Sequence, residues 1–272
     1  MQTLYRPTYF PAAATLLLLL ACGTNLATAD EVARIANQSL SVSWDSQAGL
    51  SVVHVPTGRK LVSVGKLRAA GGAAHTAQVT DKVFGESQAL QIKYDDGGQD
   101  EILLAGKVPF LLIRPSIHNK AGEPATLRQF QSLRATLDLG RPAESLKVLG
   151  TGGLKSPADK PGSYMWMTVA DPQSRSGVVS GWLTTDRGSG AVLAGVEGGQ
   201  VRLDAQIDYG RLRLAPGQSE TLETFAVGWF DDVRLGLEAW ADAVAKVYQV
   251  QLPPQPCGYC TWYHSGASNE KE

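Results

Sequence analysis

Two cysteines three positions apart, Cys257 and Cys260, lie in the stretch PCGYCTWYHSG beside Trp262, Tyr263 and His264. Of all the cysteine and histidine positions in the chain, only these have a spacing that thiol or metal chemistry uses. A thioredoxin-type pair sits at a helix N-terminus after a strand, where the dipole lowers the thiol pKa. Here Pro256 precedes the pair, and the residues that follow read as strand. A structural zinc needs four ligands, and His264 is the only further candidate nearby. The pair is therefore read as chemically idle, with an extracellular disulfide as the alternative. No metal and no cofactor are expected.

The other reactive types are scattered. His54, His75, His118 and His264 show no ligand spacing, and no Gly-x-Ser-x-Gly elbow presents a nucleophile. The glycine-rich stretches GTGG (150–153) and GVEGG (195–199) do not join a strand to a helix, so they read as loops or bulges rather than phosphate cradles. Carboxylates that cleave glycosides stand about 5–9 Å apart on rigid neighbouring elements. The acidic pairs Asp95/Asp96 and Asp231/Asp232 fall in a turn and at a helix start instead. No catalytic residue is assigned. Aromatics offer a different chemistry, because a ring can stack on the apolar C–H face of a sugar while polar neighbours meet its rim. SYMWMTVAD reads as one strand in which Tyr164 and Trp166 alternate with Met165 and Met167, with Trp182 on a strand nearby. Core packing is the alternative use of such large rings.

These side chains need a scaffold, and the scaffold reads as β. SLSVSWD places Leu40, Val42 and Trp44 on one face, and ALQIKYD does the same with Leu90, Ile92 and Tyr94. In QVRLDAQIDYG, Val201, Leu203, Ala205, Ile207 and Tyr209 alternate with polar residues. That is the pattern of a half-buried antiparallel strand. HVPTGR, YDDGGQD, NKAGEP, ADPQSRSG, TDRGSG and LAPGQSE carry turn chemistry between such runs. Roughly a dozen short strands, with turns every 8–12 residues, predict a large antiparallel β-sandwich. The period changes in DDVRLGLEAWADAVAKVYQV, where Val233, Leu237, Trp240, Val244 and Val247 stand three or four apart. That predicts an amphipathic helix, with Asp231 or Asp232 as its cap. LPPQP then forces an extended connection.

The N-terminus sets the compartment. Arg6 precedes the apolar run PAAATLLLLLAC, which is too short to span a bilayer, and Ala27-Thr28-Ala29 supplies a small-x-small cleavage site. Residues 1–29 are predicted to be a secretory signal peptide. LLACG also matches a lipobox, with a lipid anchor at Cys22 and an outer-membrane lipoprotein as the alternative, and an uncleaved anchor is a third. Each route exports the fold to the periplasm or beyond. Without residues 1–29, 243 residues remain, with 24 basic against 26 acidic side chains. That balance excludes a polycationic nucleic-acid binder. No later run predicts a transmembrane helix, and no disulfide framework is possible in the body of the fold.

The stretch GYCTWYHSG after LPPQP resembles the entry to the catalytic barrel in microbial alpha-galactosidases of glycoside hydrolase family 36, a grouping that includes raffinose synthases. The family pattern is approximately Pro-x-Gly-Trp-(Cys/Asn)-(Ser/Thr)-Trp-Tyr. Gly258, Cys260, Thr261, Trp262 and Tyr263 match it, and Tyr259 stands where tryptophan is usual. FAVGWFDDVRLGLEAWADAVAKVY resembles the family's last sandwich strand and the helix that leads into the barrel. The resemblance implies a supersandwich domain over 30–230, a linker helix and Pro-rich connection over 231–256, and over 257–272 the first strand of a (β/α)8 barrel that the sequence then cuts short. It implies α-galactoside hydrolysis by a parent enzyme whose two catalytic aspartates sit on later barrel strands, so this chain is expected to be inactive alone. Trp262 and Tyr263 match positions near the sugar, and Trp166 or Tyr164 would reach over the barrel mouth. Two other readings stand beside it. One is a free-standing sandwich that binds carbohydrate or another envelope component, and the other is an inert structural remnant.

Overall fold

The computed structural model describes residues 32–68, 71–254 and 258. The expected signal peptide and lipidation site, the Cys257/Cys260 pair, Trp262, Tyr263 and the expected first barrel strand lie outside the described residues. The strands, in chain order, are β1 (Ala33–Ala36), β2 (Leu40–Asp45), β3 (Gly49–His54), β4 (Arg59–Lys66), β5 (Ala73–Asp81), β6 (Gly85–Lys93), β7 (Gln99–Ala105), β8 (Leu111–His118) and β9 (Ala125–Leu137). They continue as β10 (Lys147–Gly150), β11 (Gly153–Lys155), β12 (Gly162–Tyr164), β13 (Trp166–Ala170), β14 (Gly177–Trp182), β15 (Ser189–Glu197), β16 (Gln200–Leu214), β17 (Ser219–Thr221) and β18 (Phe225–Phe230). The helix α1 spans Val233–Tyr248.

Two antiparallel sheets form the sandwich that the alternation predicts. The first runs β1-β2-β3-β4-β9-β16-β15-β12, and the second runs β11-β10-β13-β14-β18-β8-β7-β6-β5, with β17 paired to β8. The alternating residues named from the sequence supply the core between them: Val42, Ile92, Val201, Leu203, Ala205 and Ile207 are almost fully buried. Each of the six turn stretches connects two strands. In the β15–β16 hairpin, Gly198 and Gly199 both adopt positive φ, 57° and 78°, as a two-residue turn matched to the strand twist requires.

The middle of the second sheet is buried on both faces, because α1 packs across β14 and β18. Val233, Gly236 and Ala243 are buried at the spacing of one helix face, and Leu237, Trp240, Val244 and Val247 pack with Phe110 and Val179 in a second apolar cluster. Asp232 is the cap: its side chain accepts from the Arg234 amide at 3.0 Å. The Arg234 guanidinium and amide hold the Asp232 carboxyl down to about 2, with Arg175 adding to the effect.

The structure departs from the sequence reading at SYMWMTVAD. Tyr164 ends β12 in the first sheet, and Trp166 begins β13 in the second. The crossing falls at Met165, which takes a left-handed φ of 67°, an uncommon conformation for a non-glycine residue. Backbone hydrogen bonds fix it there, from the Met165 amide to Gly190 O (3.0 Å) and from the Trp182 amide to Met165 O (2.8 Å).

Candidate functional site

The crossing at Met165 decides where the aromatics go. Trp166 is half-buried on the second sheet, its ring 6.5 Å from that of Trp240 on α1. Trp182 is fully buried. Its ring lies 5.0 Å from Phe225, its Nε1 donates to Ala191 O at 3.3 Å, and it packs so close to Gly190 that a Cβ there would enter the indole. It is a core side chain. Tyr164 is the opposite case, 67% exposed on the outer face of the first sheet.

That outer face is uncovered by the helix, which lies on the other sheet. Strand alternation fixes its composition, since Val192, Ala194, Leu203, Ala205, Leu133 and Ala135 point into the core and their neighbours point out. The register then aligns the outward residues in rows across strands that are mostly distant in sequence. One row runs Tyr164, Ala191, Gln206, Gln131. The next runs Gly162, Leu193, Asp204, Arg134, Lys66. At about 4.8 Å per strand, the longer row spans roughly 19 Å. Small residues beside Tyr164 leave its ring open to a flat ligand, and the planar amides and guanidinium groups further along offer donors and acceptors.

Asp204 organises the polar end. Its carboxylate, 7% exposed, accepts from Arg134 Nε at 2.7 Å, from Arg202 Nε at 2.9 Å and from Gln131 Nε2 at 3.4 Å. The same bond holds the Arg134 guanidinium above its ordinary pKa. At the other end, the β10–β11 hairpin stands beside β12. Ser163 Oγ accepts from the Thr151 amide at 2.8 Å, and the hairpin's bare glycines leave two adjoining cavities. One, of about 320 Å³, is lined by Gly150, Gly152, Lys155 and Asp159. The other, of about 610 Å³, is lined by Thr151, Gly162, Tyr164 and Leu193 and opens on the outer face. GTGG thus forms a tight turn, as read, and it shapes the rim beside Tyr164.

Several of the remaining candidates are internally satisfied. Asp96 accepts from the Gly98 amide within its turn and faces Arg68 at 3.5 Å. His54 is tied to Thr57, with its ring 5.6 Å from Trp229, and burial lowers its pKa. A cleft of about 230 Å³ near the end of α1 is lined by Arg114, Arg187 and Glu223. There Arg114 pairs with Asp81 and Glu101, and Arg187 with Glu220 and Glu223. Among the described residues no group of three metal-ligating side chains occurs, and no helix is long and apolar enough to cross a membrane. Sequence reasoning named Tyr164 but missed Gln206, Gln131, Asp204, Arg134 and Lys66. For Gln206 and Asp204 the only signal was the polar phase of the β16 alternation, whose apolar phase had been read; Gln131, Arg134 and Lys66 lie on strands for which no alternation was read.

No family model matches the chain, and no curated protein matches it. Solved structures do share its fold. A TPR-domain containing protein from Parabacteroides distasonis superposes with a TM-score of 0.51 at 12% identity, covering 83% of this chain and 49% of that one. The alpha-galactosidase from Lactobacillus brevis gives 0.47 at 12% identity, covering 70% of this chain and 30% of that one. A galactose mutarotase related enzyme from Lactobacillus acidophilus gives 0.47 at 11% identity, covering 73% and 97%. The chain therefore spans about half the length of the first of these and less than a third of the second. The first likeness is one of fold alone, and the two weaker ones carry no functional weight.

Proposed function

We propose that this chain is the exported, non-catalytic sandwich domain of an alpha-galactosidase-like glycoside hydrolase, and that it holds carbohydrate on the outer face of its first sheet. The observation that carries the binding claim is Tyr164, 67% exposed at the head of an uncovered row that continues through Gln206 and Gln131. An exposed ring followed by planar polar side chains suits a chain of sugars, each with an apolar face and a hydroxyl rim. The assignment to the enzyme family rests on the GYCTWY stretch and on the helix that precedes it. In this reading, cleavage of α-galactosides belongs to a catalytic barrel, Trp262 and Tyr263 sit at its first strand, and Trp166 braces α1 rather than touching sugar. A free-standing carbohydrate- or envelope-binding module would use the same face.

Titration of the purified chain with raffinose and longer galacto-oligosaccharides tests the binding claim. Saturable binding is expected, weakened about twofold to tenfold in Tyr164→Ala, the scale of losing one stacked ring. No binding, or binding unchanged by that substitution, would refute it.

A further inference from the structure

The outer face has a charge arrangement that folding alone does not explain. Lys66 on β4 stands directly opposite Arg134 on β9. Like charges directly opposed across an antiparallel pair are destabilising. The nearby acids do not relieve Lys66. Asp204 is taken up by Arg134, Arg202 and Gln131. Asp96 faces Arg68, and Asp100 is bonded to Arg68 and Tyr94. Lys66 makes no ion pair among the described residues. Arg134, with its side chain 52% exposed, uses only Nε on Asp204, so its two terminal nitrogens make no hydrogen bond among the described residues, and Glu197 acts on the guanidinium only through its charge.

Lys66 and Arg134 line one cavity of about 450 Å³, together with the Arg68–Asp96 ion pair, which leaves the site with two unbalanced cations, with Gln131, and with the apolar side chains of Leu127, Ile117 and Phe130. An occupant that settles this site must bring a negative charge for Lys66 and Arg134 and an apolar surface for the floor. The free edge of a guanidinium matches a carboxylate through two parallel hydrogen bonds. The cavity also adjoins the row that leads to Tyr164, so a ligand lying along the face delivers its acidic unit here.

We infer that this face selects glycans bearing a sugar carboxylate, a uronic acid, seated between Lys66 and Arg134. The inference rests on the reading of the outer face as a glycan site and narrows its substrate class.

The test titrates the full chain, by calorimetry at low and high salt, with an oligogalacturonate, a neutral galacto-oligosaccharide and a sulfated galactan oligosaccharide. The uronate is expected to bind about tenfold or more tightly than the neutral glycan at low salt, and the gap is expected to close as salt screens the charges. Lys66→Gln should lower uronate affinity about threefold to tenfold and lower neutral affinity by distinctly less, so that the preference for uronate shrinks. It should also leave the Tm at or above that of the parent, because a repulsion is removed. A lysine retained for stability would show a lower Tm instead, which counts against the inference. Equal affinity for uronate and neutral glycan overturns the inference and leaves the glycan face standing. Tighter binding of the sulfated glycan overturns the carboxylate assignment. No binding of any of the three overturns the glycan face itself.

Discussion

Removing the Asp204 carboxylate tests whether the outer face is held together as described. Asp204→Ala deletes the acceptor of three bonds, from Arg134, Arg202 and Gln131. Bonds to a buried charged group contribute about 1.5–3 kcal/mol each. The two arginine side chains are 52% and 36% exposed, so solvent screening cuts their share well below that range. A net loss of about 2 kcal/mol follows. For a fold of this size that is a fall in Tm of roughly 4–8 °C. The substitution also removes the anion that Arg134 and Arg202 share, and leaves Arg134 opposite Lys66 without it. Urea unfolding followed by tryptophan fluorescence reads the change, and an unaltered m-value shows that the folded state is otherwise intact. A loss below about 0.5 kcal/mol would show that Asp204 is decoration rather than an organiser. Lys66→Gln in the Asp204→Ala background should recover part of the lost stability, because the cation opposite the unpaired Arg134 is gone. If stability instead falls further, charge imbalance is not what the aspartate relieves.

Three other outcomes follow from the geometry. Trp182→Ala opens a void against Phe225 and removes the bond to Ala191, so it should cost about 3–5 kcal/mol in urea unfolding, whereas Tyr164→Ala should cost little. Asp232 titrates at about 2 in the fold against an ordinary 3.8. A depressed carboxyl stabilises the fold above its ordinary value and loses that contribution as pH falls toward its folded value. Asp232→Asn should therefore flatten the acid dependence of the unfolding midpoint between about pH 4 and 2. Met165 holds a left-handed φ, where a β-branched side chain is strained. Met165→Val should thus destabilise by about 1–2 kcal/mol more than Met165→Gly, compared by the same unfolding curves.

The core was legible because it depends on period alone. The Val201–Tyr209 alternation names the buried phase of β16 without reference to any partner strand, and the three-and-four spacing from Val233 to Val247 does the same for α1. The outer face was not legible, because it depends on register. Lys66 and Arg134 become neighbours only when β4 pairs with β9, and Gln131 and Gln206 only when β9 pairs with β16 through a bulge. No local signal in YMWM marks Met165 as a crossing between sheets, so Tyr164 and Trp166 read as one strand. Trp182 read as a possible platform because alternation alone does not say which face a side chain takes, yet its ring points between the sheets against Phe225 and Gly190, while α1 closes the other side of β14.

The most direct test of the carbohydrate-binding face is to follow the backbone and side-chain NMR signals of the isotopically labelled chain during glycan titration. The account predicts shifts concentrated at Tyr164, Ala191, Gln206, Gln131 and Arg134, with their shared saturation giving one Kd. Shifts confined to the Arg114–Arg187 cleft, or none at saturating glycan, would contradict it.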